Sequence, residues 1–565
     1  MRTNLPALLP KGLNAPSSCR TLVNGLRLAW IAVVLWGEVG VFFYNLRSCD
    51  WPDRLQPESP DLRSAHILVV ADPQVLDHRS YPERGLVLTM LSQFIADLNL
   101  RKSWRVTMHR LRPHAVVFLG DMMDGGRTDM DDDEYEAYYE RFRSIFALDY
   151  VPLPVYYLPG NHDIGLGKSD TFSPDAVKRY VSHFGPLNQR FSVGNHTIML
   201  IDAPSLVQED YKRVQRGYSF EDWPNVIDGP LEFVKRYKSE EHNSPVILFS
   251  HIPLARPPNT NCGPLREKGT IRQGTGLGYQ NTLTEPATNY LLKSLRPTLI
   301  LSGDDHDYCE YAHTLPLLDG SSSVESAKEV SVKSFSMAMG IRRPGFQLLS
   351  LTSTVTPDNM VQIPNGPPQD VPCLLPNQLG VYLYAYVPFI VFSLLALFLS
   401  NIRRTSARES YRTSSYMRTQ NRSRSPRGRS ASEEFGNGNV NHVNGNIELS
   451  RRLSSRDDVK DVDIHVHERD HDAYVLAPQT ERQHGGERRK RSWSLTFTLC
   501  GQLRRLTVGP LPHFCGQGDD VRGRNEVELP PREEQGLFRG FSRDVLDVAW
   551  PAVSMFGIVA WWAWK

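Results

Sequence analysis

Five short apolar runs, at residues 66–71, 115–118, 155–158, 246–249 and 298–301, mark the central part of this chain. Each is rich in Val, Ile, Leu or Phe and ends among turn formers, the pattern of a buried strand. Between them the period changes. Residues 84–101 carry Leu86, Met90, Leu91, Phe94, Ile95 and Leu98 at helical spacing, which predicts an amphipathic helix. Residues 133–148 predict another, with Tyr135, Tyr138, Tyr139, Phe142 and Phe146 read as core aromatics. Residues 191–202 predict a hairpin turning at Gly194 and Asn195, and 332–339 and 346–352 predict strands that complete a sheet. Alternating strands and helices of this kind make an α/β domain, placed at 64–355.

Three longer apolar stretches, at 28–46, 379–400 and 548–564, read as transmembrane helices, the last only just long enough to cross a bilayer. The first reads as a retained anchor, because its leader is long and no small-x-small cleavage site follows. Glu38 within it is costly in lipid, so it is expected to face another helix or an interface. The net charge of +1 hides a strong asymmetry. The leader has Arg2, Lys11, Arg20 and Arg27 without an acid, and the second stretch is followed by Arg403, Arg404, Arg408 and further arginines against Glu409 alone. Positive charge stays in the cytoplasm, so residues 1–27 are expected there and the central domain on the opposite, lumenal side. Residues 401–490, basic and poor in large apolar residues, are expected to be a disordered cytoplasmic region, followed by a membrane-proximal segment at 491–547. An orienting tail beside anionic lipid explains the arginines, and no nucleic acid partner is expected. Asn195-His196-Thr197 is a glycosylation sequon. Cys49 and Cys373 flank the first two spans on the lumenal side and can be joined there, Cys262 and Cys309 are free or paired, and four buried thiols explain the same residues.

Chemistry concentrates where the strands end. The five exits carry Asp72 with Gln74, Asp121 with Asp124, Asn161 with His162, His251, and Asp304 with His306. Ligands of α/β proteins sit outside the carboxyl ends of strands, and one carboxylate such as Asp121 can serve two metals, one oxygen to each. Each exit alone has a bland explanation as a polar turn; five together do not.

The order Dx(H/Q)…GDxxD…GNHD…H…GxxH over residues 65–311 resembles the calcineurin-like metallophosphoesterase superfamily. The forms Ala71-Asp72-Pro73-Gln74, Gly120-Asp121-Met122-Met123-Asp124-Gly125-Gly126-Arg127 and Gly303-Asp304-Asp305-His306 are similar to the fungal cell-division-control-type branch of the enzymes that trim ethanolamine phosphate from glycosylphosphatidylinositol (GPI) anchors. The resemblance implies an α/β calcineurin-like metallophosphoesterase β-sandwich flanked by helices. It implies Asp72, Gln74, Asp121 and His306 around one divalent ion, and Asp121, Asn161, His251 and Asp304 around a second. It makes His162 and Asp121 the catalytic pair, with Asp163 holding His162 nearby. Asp124 and Arg127 support the ligands or orient substrate, or form a salt-bridged loop.

Many members of the superfamily have His at the position of Gln74 and His-x-His in place of Asp304-Asp305-His306. The oxygen-richer set shifts the expected metal to Mn²⁺ or Mg²⁺, and leaves open whether Asp304 or Asp305 is the ligand and whether Gln74 binds directly. The implied function is hydrolysis of ethanolamine phosphate from a mannose of GPI lipid or GPI-anchored proteins in the endoplasmic reticulum or Golgi. The alternatives are a phosphoprotein or phospholipid phosphatase of the same fold, and a non-catalytic metal-binding scaffold.

Overall fold

A computed structural model describes residues 15–55, 62–148, 152–167, 171–316, 325–355, 362–364, 366–422, 493–499, 502–508 and 537–565. In chain order the strands of the central domain are β1 (Leu62–Val70), β2 (Ala115–Phe118), β3 (Val155–Tyr157), β4 (Gln189–Val193), β5 (His196–Ile201), β6 (Val246–Ser250), β7 (Thr275–Gly276), β8 (Tyr279–Gln280), β9 (Pro297–Ser302), β10 (Cys309–Thr314), β11 (Ser326–Ser331), β12 (Gly345–Val355), β13 (Gln362–Pro364) and β14 (Gln369–Leu374). Of these, β7 and β8 pair with each other in a separate antiparallel ribbon, and the other twelve form two six-stranded sheets. One runs β13-β12-β1-β2-β3 with β14 also on β12, and the other runs β10-β11-β9-β6-β5-β4. The neighbours β1, β2 and β3 are mutually parallel, as are β5, β6, β9 and β11. All the strands bearing chemistry therefore end at the same edge of their sheet.

Side chains alternate across each strand, and the two faces go to different cores. Ile67, Val69 and Val117 of the first sheet meet Ile198, Leu200, Ile247 and Phe249 of the second, which fills the sandwich. Leu68, Val70, Val116 and Phe118 point the other way, against Trp104 and Phe142 of the helices Leu86–Leu111 and Asp132–Ile145. Met199, Leu248 and Ile300 pack likewise on Leu206, Leu231 and Leu291 of the helices covering the second sheet. The architecture is a β-sandwich flanked by helices. Of the aromatics on Asp132–Ile145, Tyr135, Tyr138 and Phe142 are buried, as expected of core.

Residues 332–339 form no strand. Val332 and Phe335 are buried, but their amides bond to Ser302 and Ala71 carbonyls as the chain turns toward the strand exits. All four residues from Val332 to Phe335 are buried, so this stretch fills the core without continuing a strand.

Three helices, Arg20–Leu46, Gln378–Met417 and Leu537–Trp564, are long and apolar enough to cross a membrane. All exceed the apolar stretches read from the sequence. The helix reaching Arg422 takes in residues 401–422, which were expected to be disordered; the rest of that basic region, 423–490, lies outside the described residues. The last helix begins eleven residues before 548 because its polar residues are paired: Asp544 accepts from Asn401 Nδ2 (3.0 Å), and Asp547 pairs with Arg27 (3.4 Å). Glu38 is fully buried, as expected facing other helices: it pairs with Lys102 (2.5 Å) of the helix Leu86–Leu111 and accepts from Tyr386 (2.8 Å) of the second spanning helix. Cys49–Cys373 and Cys262–Cys309 are both disulfides, so none of these four is a free thiol. In the separate unit 419–534, Trp493–Leu499 and Gln502–Val508 form an antiparallel hairpin within the segment expected beside the membrane.

Candidate metal centre

Each parallel strand hands its last residues to a tight turn at the shared edge. β1 is followed by Asp72 and Gln74, β2 by Asp121, β3 by Asn161, β6 by His251, and β9 by Asp304 and His306. Left-handed backbone is needed at several of these turns: φ is +46° at Asp72, +36° at Gln74, +54° at Asp121, +61° at Asp304 and +66° at His306. Five of the ten described non-glycine residues in that region are thus site residues, and such strain gathers where function over-determines the backbone.

The turns bring together Asp72, Gln74, Asp121, Asn161, His251, Asp304 and His306. Asp121 lies at the centre with its two oxygens turned to different groups. Oδ2 accepts from Gln74 Nε2 (2.8 Å), which also lies 3.3 Å from His306 Nε2. Oδ1 lies 3.4 Å from His251 Nε2. The same nitrogen is 3.1 Å from Asn161 Oδ1 and 3.5 Å from Asp304 Oδ1. His251 Nδ1 donates to the Leu119 carbonyl at 2.6 Å, which sets the tautomer and leaves Nε2 for the cluster. Asp305 turns away, held by both terminal nitrogens of Arg266 (2.5 and 3.1 Å). Asp304 is therefore the acid that the fold brings into the cluster.

The electrostatics favour a bound cation. Asp72, Asp121 and His251 are buried, with ligand atoms within 4.8 Å of one another. Burial pushes the Asp72 carboxyl well above its usual range, and Asp121 and Asp304 push it further against the pull of His251. Burial works against a charged His251, yet Asp121 and Asp304 outweigh it and raise that imidazole. His306, driven down to about 4 by burial, stays neutral and able to act as a ligand. Asp72 Oδ2 is buried with no hydrogen-bond partner, an orphan acceptor that a cation would satisfy. Carboxylates, neutral imidazoles and amides fit divalent metal ions.

The calcineurin-like phosphoesterase family model matches residues 65–308, the span of this cluster. These residues form a calcineurin-like phosphoesterase domain. Cell division control protein 1 of Saccharomyces cerevisiae is 34% identical over 327 residues, covering 57% of this chain and 62% of its own length. Metallophosphoesterase 1 of Ailuropoda melanoleuca is 26% identical over 341 residues, 57% of this chain and 79% of that protein, and its Mus musculus counterpart is 26% identical over 343 residues. The phosphoesterase domain is thus of a metal-dependent hydrolase family, and the chain spans less than two-thirds of its yeast relative.

Around the cluster the phosphoesterase domain departs from expectation in one respect. Asp163 does not hold the His162 side chain. Its carboxylate accepts from the amides of Gly160, Asp121 and Met122 (2.9, 2.7 and 3.0 Å), tying two strand exits together. His162 is held instead by Asp124, through the backbone carbonyl (2.6 Å from Nδ1) and the carboxylate (3.3 Å). Burial disfavours the imidazolium, but Asp121 and Asp124 prevail and raise His162 to about 9. Arg127 donates to the carbonyls of Asn161 (3.1 Å) and Gly278 (3.0 Å), so it braces the loops and forms no salt bridge with Asp124. Gly278, absent from the sequence reading, also accepts from Asn161 Nδ2 (2.8 Å) and orients that amide. Nothing in the sequence around Gly278 marks it, because its role is a backbone carbonyl's.

Gly160 allows this close approach: a Cβ there would strike the Asp121 carboxylate and amide. Gly160→Ala is expected to abolish metal occupancy while the sandwich still folds, read by elemental analysis of the purified protein beside circular dichroism.

Proposed function

We propose that the chain is a membrane-anchored, lumenal phosphodiesterase that hydrolyses ethanolamine phosphate from a mannose of GPI lipid or GPI-anchored proteins. The observation that carries the hydrolase part is Asp121, whose two oxygens face separate ligand groups. Asp72, Gln74, Asp121 and His306 would hold one divalent ion, and Asp121, Asn161, His251 and Asp304 a second; Mn²⁺ suits their oxygen-rich character. Two such ions, when bound, neutralise phosphate charge and activate water for in-line displacement.

The protein's own part is orientation and proton transfer. Asp163 and Gly160 set the spacing of the two central loops, and Arg127 and Gly278 fix the Asn161 amide. Asp124 holds His162 Nδ1, which leaves Nε2 as the nitrogen to donate a proton to the departing mannose oxygen. The P–O bond to the sugar breaks as water adds to phosphorus, releasing ethanolamine phosphate and a free hydroxyl.

Lumenal placement is supported by the basic segments outside the first two spans, by two disulfides and by Asn195, exposed at the turn between β4 and β5 where a glycan can be carried. A substrate embedded in the same bilayer suits an enzyme held there by spanning helices. The endoplasmic reticulum and the Golgi both meet these requirements.

The test is release of ethanolamine phosphate from a defined GPI glycan by the purified full chain, with Mn²⁺ and with chelator. His162→Ala is expected to lower kcat by about 10²–10⁴-fold with metal retained. Cleavage of a phosphoprotein or phospholipid monoester with the glycan left intact would move the substrate to the phosphatase reading. Bound metal without any turnover would favour a scaffold.

A further inference from the structure

The helix Leu86–Leu111 does not bury the apolar face that its spacing predicts. Leu86, Val87, Leu88, Met90, Leu91 and Phe94 are 40–76% exposed, whereas its second half, from Ala96 on, is largely buried. At 3.6 residues per turn, positions 86, 87, 88, 90 and 91 cover about 200° of the helix surface, with the buried Thr89 and with Ser92 and Gln93 on the remainder. So wide an exposed apolar face suits hydrocarbon.

Its neighbours belong to the membrane. The Phe94 ring stacks on Trp564 at the end of the last spanning helix (5.3 Å), and Lys102 reaches Glu38 in the first. A groove of about 730 Å³ separates the exposed turns from the start of the second: Leu88, Leu91 and Ile95 form one wall and Leu379 and Leu383 the other. Arg84 and Arg342 stand along the same groove. The groove also reaches Leu76 and Met337, close in the chain to Gln74 and to Ser334, whose hydroxyl donates to the Asp72 carbonyl (2.7 Å).

We infer that this groove holds a glycerophospholipid of the surrounding leaflet, its acyl chain between Leu88, Leu91 and Leu383 and its phosphate against Arg84 and Arg342. Apolar walls continuous with a spanning helix select hydrocarbon. Guanidinium groups on the same groove select an anionic headgroup. The helix is then an interfacial element, its first turns sunk into the acyl boundary and its remainder part of the domain. The inference needs the chain to be membrane-bound and is independent of the substrate assigned above.

The experiment places the full chain in phosphatidylcholine nanodiscs containing phosphatidylserine with a photoactivatable acyl chain, and maps the adducts by peptide mass spectrometry. Adducts are expected within 86–95 and at 379–383. Leu88→Asp with Leu91→Asp should lower them about tenfold or more, since a carboxylate facing hydrocarbon is costly. The same variant should hydrolyse a soluble phosphodiester at the unmodified rate. Arg84→Ala with Arg342→Ala should erase the preference for a phosphatidylserine probe over a phosphatidylcholine probe. Labelling confined to the three spans, labelling that survives the aspartates, or crosslinks between two copies through 86–95 would each overturn the assignment.

Discussion

Asp121→Asn is expected to lower phosphodiester turnover by about 10³-fold, roughly 4 kcal/mol in the barrier, and to cost the protein bound metal. The substitution keeps the shape of the side chain and replaces one oxygen with a donor. Oδ2 faces Gln74 and His306, and Oδ1 faces His251 and accepts the His162 amide at 2.8 Å. Whichever way the new amide turns, one side loses an acceptor, and both lose half of the shared negative charge. Neither neighbouring loop acid can replace it, because Asp163 is taken up by backbone amides and Asp124 by His162. Turnover of a soluble phosphodiester and metal content by elemental analysis are the two readouts. Asp305→Asn is the matched control: Asp305 pairs with Arg266 away from the cluster, and asparagine keeps an oxygen to accept from that largely buried guanidinium, so the loss there should stay within about tenfold. A fully metallated, active Asp121→Asn would remove Asp121 from the centre of the site.

The site was more legible in the sequence than its supports. Strand exits are local: an apolar run, a turn and a polar ligand type lie within a few residues, so Asp72, Asn161 and His251 are legible there. The choice between Asp304 and Asp305 was not local, since it depends on Arg266, 39 residues before Asp305. For the same reason the sequence neighbour Asp163 was read as the partner of His162, while the fold delivers Asp124 from the preceding exit. Periodicity places a helix at 84–101, where the structure has Leu86–Leu111, but cannot say what its apolar residues meet. Core and lipid select the same side chains, and only the placement of the neighbouring elements separates them.

Lys102 and Glu38 illustrate the same limit and yield the largest expected effect on stability. Removing one partner, as in Lys102→Ala, is expected to destabilise the protein by roughly 3–5 kcal/mol, because an uncompensated charge is left buried. Both side chains are fully inaccessible, 2.5 Å apart, and they join the helix Leu86–Leu111 to the first spanning helix. Glu38 also accepts from Tyr386 (2.8 Å) on the second spanning segment, so the charge lies where three elements meet. If the pair itself supplied the stability, no substitution could restore it. Desolvation of two ions offsets most of their attraction, however, so removing both charges should recover most of the loss. Lys102→Met with Glu38→Gln tests this: methionine replaces the aliphatic stem, and glutamine keeps an oxygen for the Tyr386 hydroxyl. Thermal unfolding in detergent, followed by tryptophan fluorescence, should give a midpoint lowered by several degrees in Lys102→Ala and close to the unmodified value in the double variant. A double variant as unstable as the single one would mean that the ion pair holds the anchor to the domain directly.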